Sequence, residues 1–430
     1  MKKTAFFFLV FPLALTAQNS LLTENDALKT GLKNNFNIIV AANDAAADSI
    51  RNSAGEAGML PSVTLNGSLG FNQNNIHQKY ANGNEFISPN AGTNSLASSV
   101  ALSWTLFDGT KMFVTKEKLG LVQTQGEYQF RSEVLNTSAT ILNAYYDVVR
   151  QQLKLKSIDE VTKANEERLK ITESRYTSGL GPKTEVNQAK IDLNQQKENK
   201  MLQEEALAEA KRKLNNLMAR DVNIPFDVVN EFPEGPLPDR QLLEQKMYAS
   251  NPDLLAFKSQ VEISKLTLRE NKTQYFPRLT AQAGYNFNRA ENTAGFSLYN
   301  QSYGWNTGLT LSVPLYQAGK TKRSVAISTM ELATAETQFA KASLGASLEL
   351  QNGLSAWDAK SKMIALEKEN VALARENMEL SLERLRLGSG TAFEVQQAQI
   401  SLSSSLSRLT DLQYELKSED IGIHRLAADI

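Results

Sequence analysis

The sequence predicts a mostly helical chain with a four-stranded antiparallel β portion, organised as a tandem repeat of long coiled-coil helices. Three observations carry this. The chain repeats itself at a nearly fixed offset, a seven-residue apolar period runs in phase through both copies, and runs of alternating side chains interrupt each copy as a pair.

The repeat is legible in short matches. Asn35-Phe36-Asn37 matches Asn251-Pro252-Asp253, and Leu60-Pro61 matches Phe276-Pro277, both 216 residues apart. Trp104-Thr105-Leu106-Phe107 matches Val313-Pro314-Leu315-Tyr316 at an offset of 209. The same 209 relates Arg175, Gly179 and Gly181 to Arg384, Gly388 and Gly390, and Glu185-Val186 to Glu394-Val395. Two unrelated coiled coils would not keep one offset through glycines, an aromatic segment and a turn. The expected layout is repeat 1 at 18–222, a connector at 223–240 and repeat 2 at 241–430. The connector carries Pro225, Pro233, Pro236 and Pro238 and one short strand near Phe226–Val229.

The heptads set the helices. Val134, Ile141, Val148, Leu155, Thr162, Leu169 and Tyr176 recur every seven residues. Leu350, Trp357, Ile364, Val371, Met378 and Leu385 do the same 209 further on, and both periods resume after the glycines. A strict seven-residue period implies left-handed supercoiling. The companion stripe Thr137, Ala144, Gln151, Ile158, Asn165, Thr172 is polar, which suggests helices arranged around a wide, wet centre. The stretch 109–176 lacks proline and predicts a helix of about 100 Å at 1.5 Å per residue; 319–387 is its equal. Turns at 177–182 and 388–390 reverse the chain into return helices at 183–218 and 391–428. Further helices are expected at 23–58 and 240–275.

Four strands are expected at 62–72, 95–107, 278–288 and 303–316. Val63, Leu65, Leu69 and Phe71 alternate with Thr64, Asn66, Ser68 and Asn72, and the other three runs alternate likewise. Their length suits tilted membrane strands. Phe71, Trp104, Tyr285, Phe287, Tyr303 and Trp305 are candidates for interfacial aromatics against outer membrane lipid. The Asn- and Gly-rich stretches 73–94 and 289–302 read as solvated loops. A soluble β-sandwich is the competing reading, but no other apolar face is available to cover the strands. Four strands cannot close a barrel alone, and an open edge is costly in lipid. Other copies of the chain must complete the sheet; two would supply eight strands and three would supply twelve.

Met1-Lys2-Lys3 followed by the apolar run from Thr4 to Thr16 predicts an export signal over 1–17, too short for a membrane-spanning helix. There is no cysteine, and the two histidines, His77 and His424, are too few for most histidine-based metal sites. Charge is balanced, 46 Lys+Arg against 47 Asp+Glu, which argues against nucleic acid as a partner. Mean hydropathy is −0.35, unlike a helical membrane protein. No phosphate-binding loop, nucleophile elbow or His-Glu-x-x-His motif occurs, so no enzyme, metal or cofactor is expected.

In the order of these parts the chain resembles the TolC-type outer membrane factors of Gram-negative efflux and secretion systems. The residues that carry the resemblance are Leu60-Pro61-Ser62, Phe276-Pro277-Arg278, Arg175-Tyr176 with Gly179, and Arg384 with Gly388 and Glu394-Val395-Gln396-Gln397-Ala398-Gln399. The resemblance implies a homotrimer whose twelve strands form one outer-membrane barrel and whose helices form a tube in the periplasm. It implies that the turns at Arg175, Gly179, Gly181, Arg384, Gly388 and Gly390 meet a periplasmic adaptor, the membrane fusion protein of an inner-membrane transporter. It places the tip constriction at Glu394 and Gln397, with first-copy counterparts Glu185 and Gln188. The tyrosine and arginine that lock some members fall at Leu385 and Gly390, so that lock is absent. The bland alternative for Glu394 and Glu185 is solvated helix surface after a turn, where a carboxylate also favours the helix dipole. The function implied is a passive exit duct. The competing class is a trimeric coiled-coil structural or adhesive surface protein anchored by the same barrel.

Overall fold

A computed structural model describes residues 20–233, 235 and 239–430; the export signal expected at 1–17, and Pro236 and Pro238 of the connector, lie outside the described residues. The chain resolves into two units. One comprises the chain up to Ala42 with Phe130–Pro252 and Ser343–Ile430; the other comprises Asn43–Gln129 and Asp253–Ala342. Each draws on both sequence repeats.

In chain order the elements are β1 (Ser20–Leu22), α1 (Glu24–Asn34), α2 (Phe36–Arg51), β2 (Ser62–Lys79), β3 (Glu85–Phe107), α3 (Lys111–Thr177) and α4 (Lys183–Leu217). Then follow β4 (Phe226–Val228), α5 (Arg240–Ser250), α6 (Pro252–Lys272), a 3-10 turn at Thr273–Tyr275, β5 (Arg278–Asn292), β6 (Tyr299–Ser312), α7 (Lys320–Arg386) and α8 (Ala392–Leu426). This is the mostly helical class with one four-stranded antiparallel sheet that the periodicities predict.

The first unit has its core where α3 crosses the chain's beginning. Ile141, Val148 and Val149 of α3 are wholly buried with Leu214 of α4, Met218 and Phe226. Beside them β1 pairs in parallel with β4, Ser20 opposite Phe226 and Leu22 opposite Val228. The Tyr146 hydroxyl donates to Glu24 at 2.7 Å; burial, with that carboxylate next in order, pushes its pKa up. The helices expected at 23–58 and 240–275 are each broken in two. Asn35 and Asn251 leave the helical region (ψ 129° and 116°), and each donates its buried side-chain amide to the end of a return helix, Leu217 O at 2.8 Å and Leu426 O at 2.9 Å.

A second core in this unit joins Ile171 of α3 to Val371, Met378 and Leu385 of α7 and to Val395, Ala398 and Leu402 of α8. The second-copy heptads therefore pack as one seam. Of the polar companion stripe, Thr137, Asn165 and Thr172 are buried within the protomer. Their burial is cheap because their polar atoms find local partners; Asn165 donates to Val161 O and Thr172 to Leu169 O.

In the second unit the strands run in the order β2-β3-β5-β6, all neighbours antiparallel. The strands overrun their expected ends. The stretches 73–94 and 289–302 are mostly strand, with turns only at 80–84 and 293–298, while 313–316 is not strand. Asn and Gly there mark polar strand surface beyond the apolar band. Register puts Leu65, Val100, Tyr285 and Trp305 in one row on one face, and Asn66, Ser99, Asn286 and Gly304 in the next row on the other. One face is thus apolar and exposed, with Leu65 at 76% and Trp305 at 77%; the other is small and polar. No helix among the described residues is long and apolar enough to cross a membrane.

Candidate functional site

The sequence singles out two places: the helical turns and the apolar belt of the sheet. Both turns are built alike. Gly179 (φ 73°) and Gly388 (φ 77°) take the left-handed conformation that ends a helix without a Cβ penalty. Each turn closes with a bond spanning five residues, Leu180 N–H to Arg175 O at 2.8 Å and Ser389 N–H to Arg384 O at 2.9 Å. Gly390 sits so close to Arg384 that a Cβ there would lie 2.9 Å from the arginine's own Cβ.

The two arginines do different work. Arg175 reaches across the repeats and donates to Leu385 O at 3.0 Å, and also to Leu180 O at 3.4 Å. Arg384 stays in its own turn, donating to Ser389 O at 3.3 Å and facing Glu394 at 3.5 Å. Glu394 lies in the first turn of α8, whose N-cap Thr391 accepts from the Glu394 amide at 3.2 Å. Its charge is therefore partly answered within the protomer. Glu185 occupies the matching place in α4. Gln397 is exposed, and Gln188 donates to Asp192 at 2.8 Å. Leu385, at the vacant lock position, is wholly buried in the seam.

Sequence reasoning missed two features here. Arg168, only 1% exposed, donates to Asp192 at 2.7 Å and to Gln399 at 3.1 Å, and Gln396 donates to the same aspartate oxygen at 3.0 Å. The signal was a broken repeat: 209 residues on, the counterparts are Asn377 and Ser401. The second is a set of exposed apolar side chains around the turns, Leu180 (72%), Leu387 (73%) and Phe393 (66%).

On the sheet, Trp104 sits at the end nearest the helices, its indole donating to Met59 O at 2.9 Å. Tyr285 pairs with Trp305 and Phe287 with Tyr303, four and six residues beyond Ala281, the partner of Trp104. The Phe287–Tyr303 row is thus about 20 Å from Trp104 along the strand. Phe71 lies further on, opposite Asn94. The Tyr285–Trp305 pair lies inside the belt rather than at a run end. No cluster of three or more His, Asp and Glu able to hold a metal occurs among the described residues.

The family model described as outer membrane efflux protein matches residues 27–220 and 243–428. Among curated proteins, the alkaline protease secretion protein AprF of Pseudomonas aeruginosa is 22% identical over 321 residues, 70% of this chain and 64% of AprF. The outer membrane protein TolC of Vibrio cholerae is 24% identical over 291 residues, 66% of this chain and 62% of that protein. The matched stretch thus spans less than two thirds of either relative. Among solved structures, the Campylobacter jejuni CmeC outer membrane channel superposes with a TM-score of 0.78 at 14% identity, covering 100% of this chain and 94% of that one. With the model matched through both repeats, the chain belongs to the outer membrane efflux protein family.

Proposed function

We propose that three copies of the chain form the exit duct of a tripartite efflux pump or a type I secretion system, passively conducting solutes from an inner-membrane transporter to the exterior. One observation carries this: a four-stranded sheet, apolar on one face and polar on the other, whose two outer strands, β2 and β6, have no neighbour on their free sides among the described residues. In lipid those edges must pair with other copies, which turns the polar face inward around a wet path. The exposed Leu180, Leu387 and Phe393 give a periplasmic adaptor an apolar surface beside the glycine turns, and Glu394, with Glu185, Gln188 and Gln397, is the proposed constriction. Relatives named for protease secretion keep the secretion system beside the efflux pump in this reading.

The test is reconstitution of the purified protein in a planar bilayer, with native mass spectrometry of the same sample. A trimer that passes steady ionic current is expected. A stable folded monomer, or a trimer that never conducts, rejects the duct. Protease on intact cells separates the duct from the adhesive protein: cleavage at 177–182 or 388–390 from outside would favour the adhesin.

A further inference from the structure

The polar face of the sheet is almost free of charge. From Ser62 to Asn74, Thr93 to Thr105, Thr280 to Asn292 and Asn300 to Ser312, the residues on that face are Ser, Thr, Asn, Gln, Gly and Ala. The one charged side chain among the described residues of that face is Arg278, the first residue of β5, at the end where the strands meet the helices. Its guanidinium donates to the Thr105 hydroxyl at 2.9 Å, and Thr105 belongs to the same polar face, opposite Thr280. Arg278 thus lies over the polar side, is exposed, and has no ion-pair partner among the described residues.

Arg278 also lines a cavity of about 670 Å³ at the base of the sheet, together with Lys320, the first residue of α7. Three carboxylates share this cavity, and one is already held in ion pairs. Asp108 accepts from the Met112 amide at the start of α3, and Glu270 lies between Lys118 and Lys111, the latter at 3.7 Å. A neutral amide does not cancel the charge of Asp108, so Arg278 and Lys320 share the cavity with Asp108 and Glu56, none of the four in an ion pair among the described residues. The repeat partner of Arg278 is Ser62, and the repeat partner of Lys320 is Lys111, which Glu270 answers. The two cavity cations outside an ion pair among the described residues therefore both come from the second copy.

We propose that Arg278, supported by Lys320, is an anion-binding station at the inner rim of the barrel: a ring of positive charge, one guanidinium per protomer, on an otherwise neutral wall. It would hold phosphate- or carboxylate-bearing solutes as they enter the barrel and set the anion permeability of that segment. A guanidinium suits this because its planar donors match such oxyanions in pairs, and a low-dielectric wall focuses its field into the path. The proposal rests on the duct reading above.

The experiment compares wild type, Arg278→Gln and Arg278→Lys in planar bilayers at 0.1 M KCl, with tripolyphosphate as the probe. Arg278→Gln should raise the cation-to-anion permeability ratio by about twofold or more. It should weaken current block by tripolyphosphate about fivefold, the upper range for an exposed ion pair. Arg278→Lys should keep the permeability ratio and lose part of the block. Both effects should fade at 1 M, where the Debye length is about 3 Å. Current with unchanged selectivity and unchanged block in Arg278→Gln overturns the ring and leaves the duct standing. Absence of current in wild type overturns the duct and the ring with it. Should Arg278→Gln fail to assemble, Thr105→Val with Lys320→Gln takes its place, and an unaltered block there overturns the station.

Discussion

Arg168 and Asp192 form a buried ion pair that one repeat has and the other lacks. Breaking such a pair from one side leaves the other charge uncompensated, at a cost of about 3–5 kcal/mol. Asp192 keeps two glutamine donors and a side chain 15% exposed, which favours the lower end of that range. Arg168→Met should therefore lower the melting temperature in detergent, and Arg168→Met with Asp192→Leu should recover most of the loss. An additive double substitution would mean the two side chains do not act as a pair. Little of this was readable in advance, because a heptad search weighs apolar residues and passes over a charged one inside the seam. The asparagines were half readable. Pro252 announces the break after Asn251, but Phe36 after Asn35 gives no such warning, and the break depends on a bond to Leu217 O, 182 residues away in sequence.

At the scale of elements, the long helices were legible because proline and glycine punctuate them so sparsely. The strand ends were not. Asn- and Gly-rich sequence signals solvent, and a strand that leaves the lipid is solvated on both faces while still paired. The turns join both kinds of information: their glycines were visible in the sequence, their conformation only in the backbone. Gly388→Ala forces a Cβ onto a left-handed residue, costing about 1–2 kcal/mol. The end of α7 should then become more open to protease in the detergent-solubilised protein, cleaving near 388–390. Asparagine at the same position should restore part of the protection, since it tolerates that conformation better. Equal protection in wild type and Gly388→Ala would show that packing of Leu385, not the turn, holds this end.

For the whole molecule, the proposed trimer converts single side chains into rings. Glu394 faces Arg384 in the same protomer, so the proposed constriction carries a charge that its neighbour partly cancels. In bilayer recordings at 0.1 M salt, Glu394→Gln should reduce cation preference and Arg384→Gln should increase it, both effects shrinking at 1 M as screening tightens. No change in either variant would place the constriction elsewhere. The fold class was readable, because the seven-residue and two-residue periods run through the chain as a whole. Which residues narrow the path was not, because that depends on faces that only neighbouring copies bring together.

The hairpin of β2 and β3 is longer than that of β5 and β6. Past Thr93, where pairing with β5 ends, Ile76–Lys79 and Glu85–Ser88 pair, among the described residues, only with each other, tied by Lys79 to Glu85 at 2.8 Å and turned at Gly83 (φ 87°). Among the described residues no third strand pairs with this arm. In the proposed duct this arm faces the outside of the cell, where its sequence can drift under pressure from antibodies or phage. It is also the place where an epitope tag, set into Tyr80–Asn84, would report the protein on living cells while leaving the wall of the pore intact.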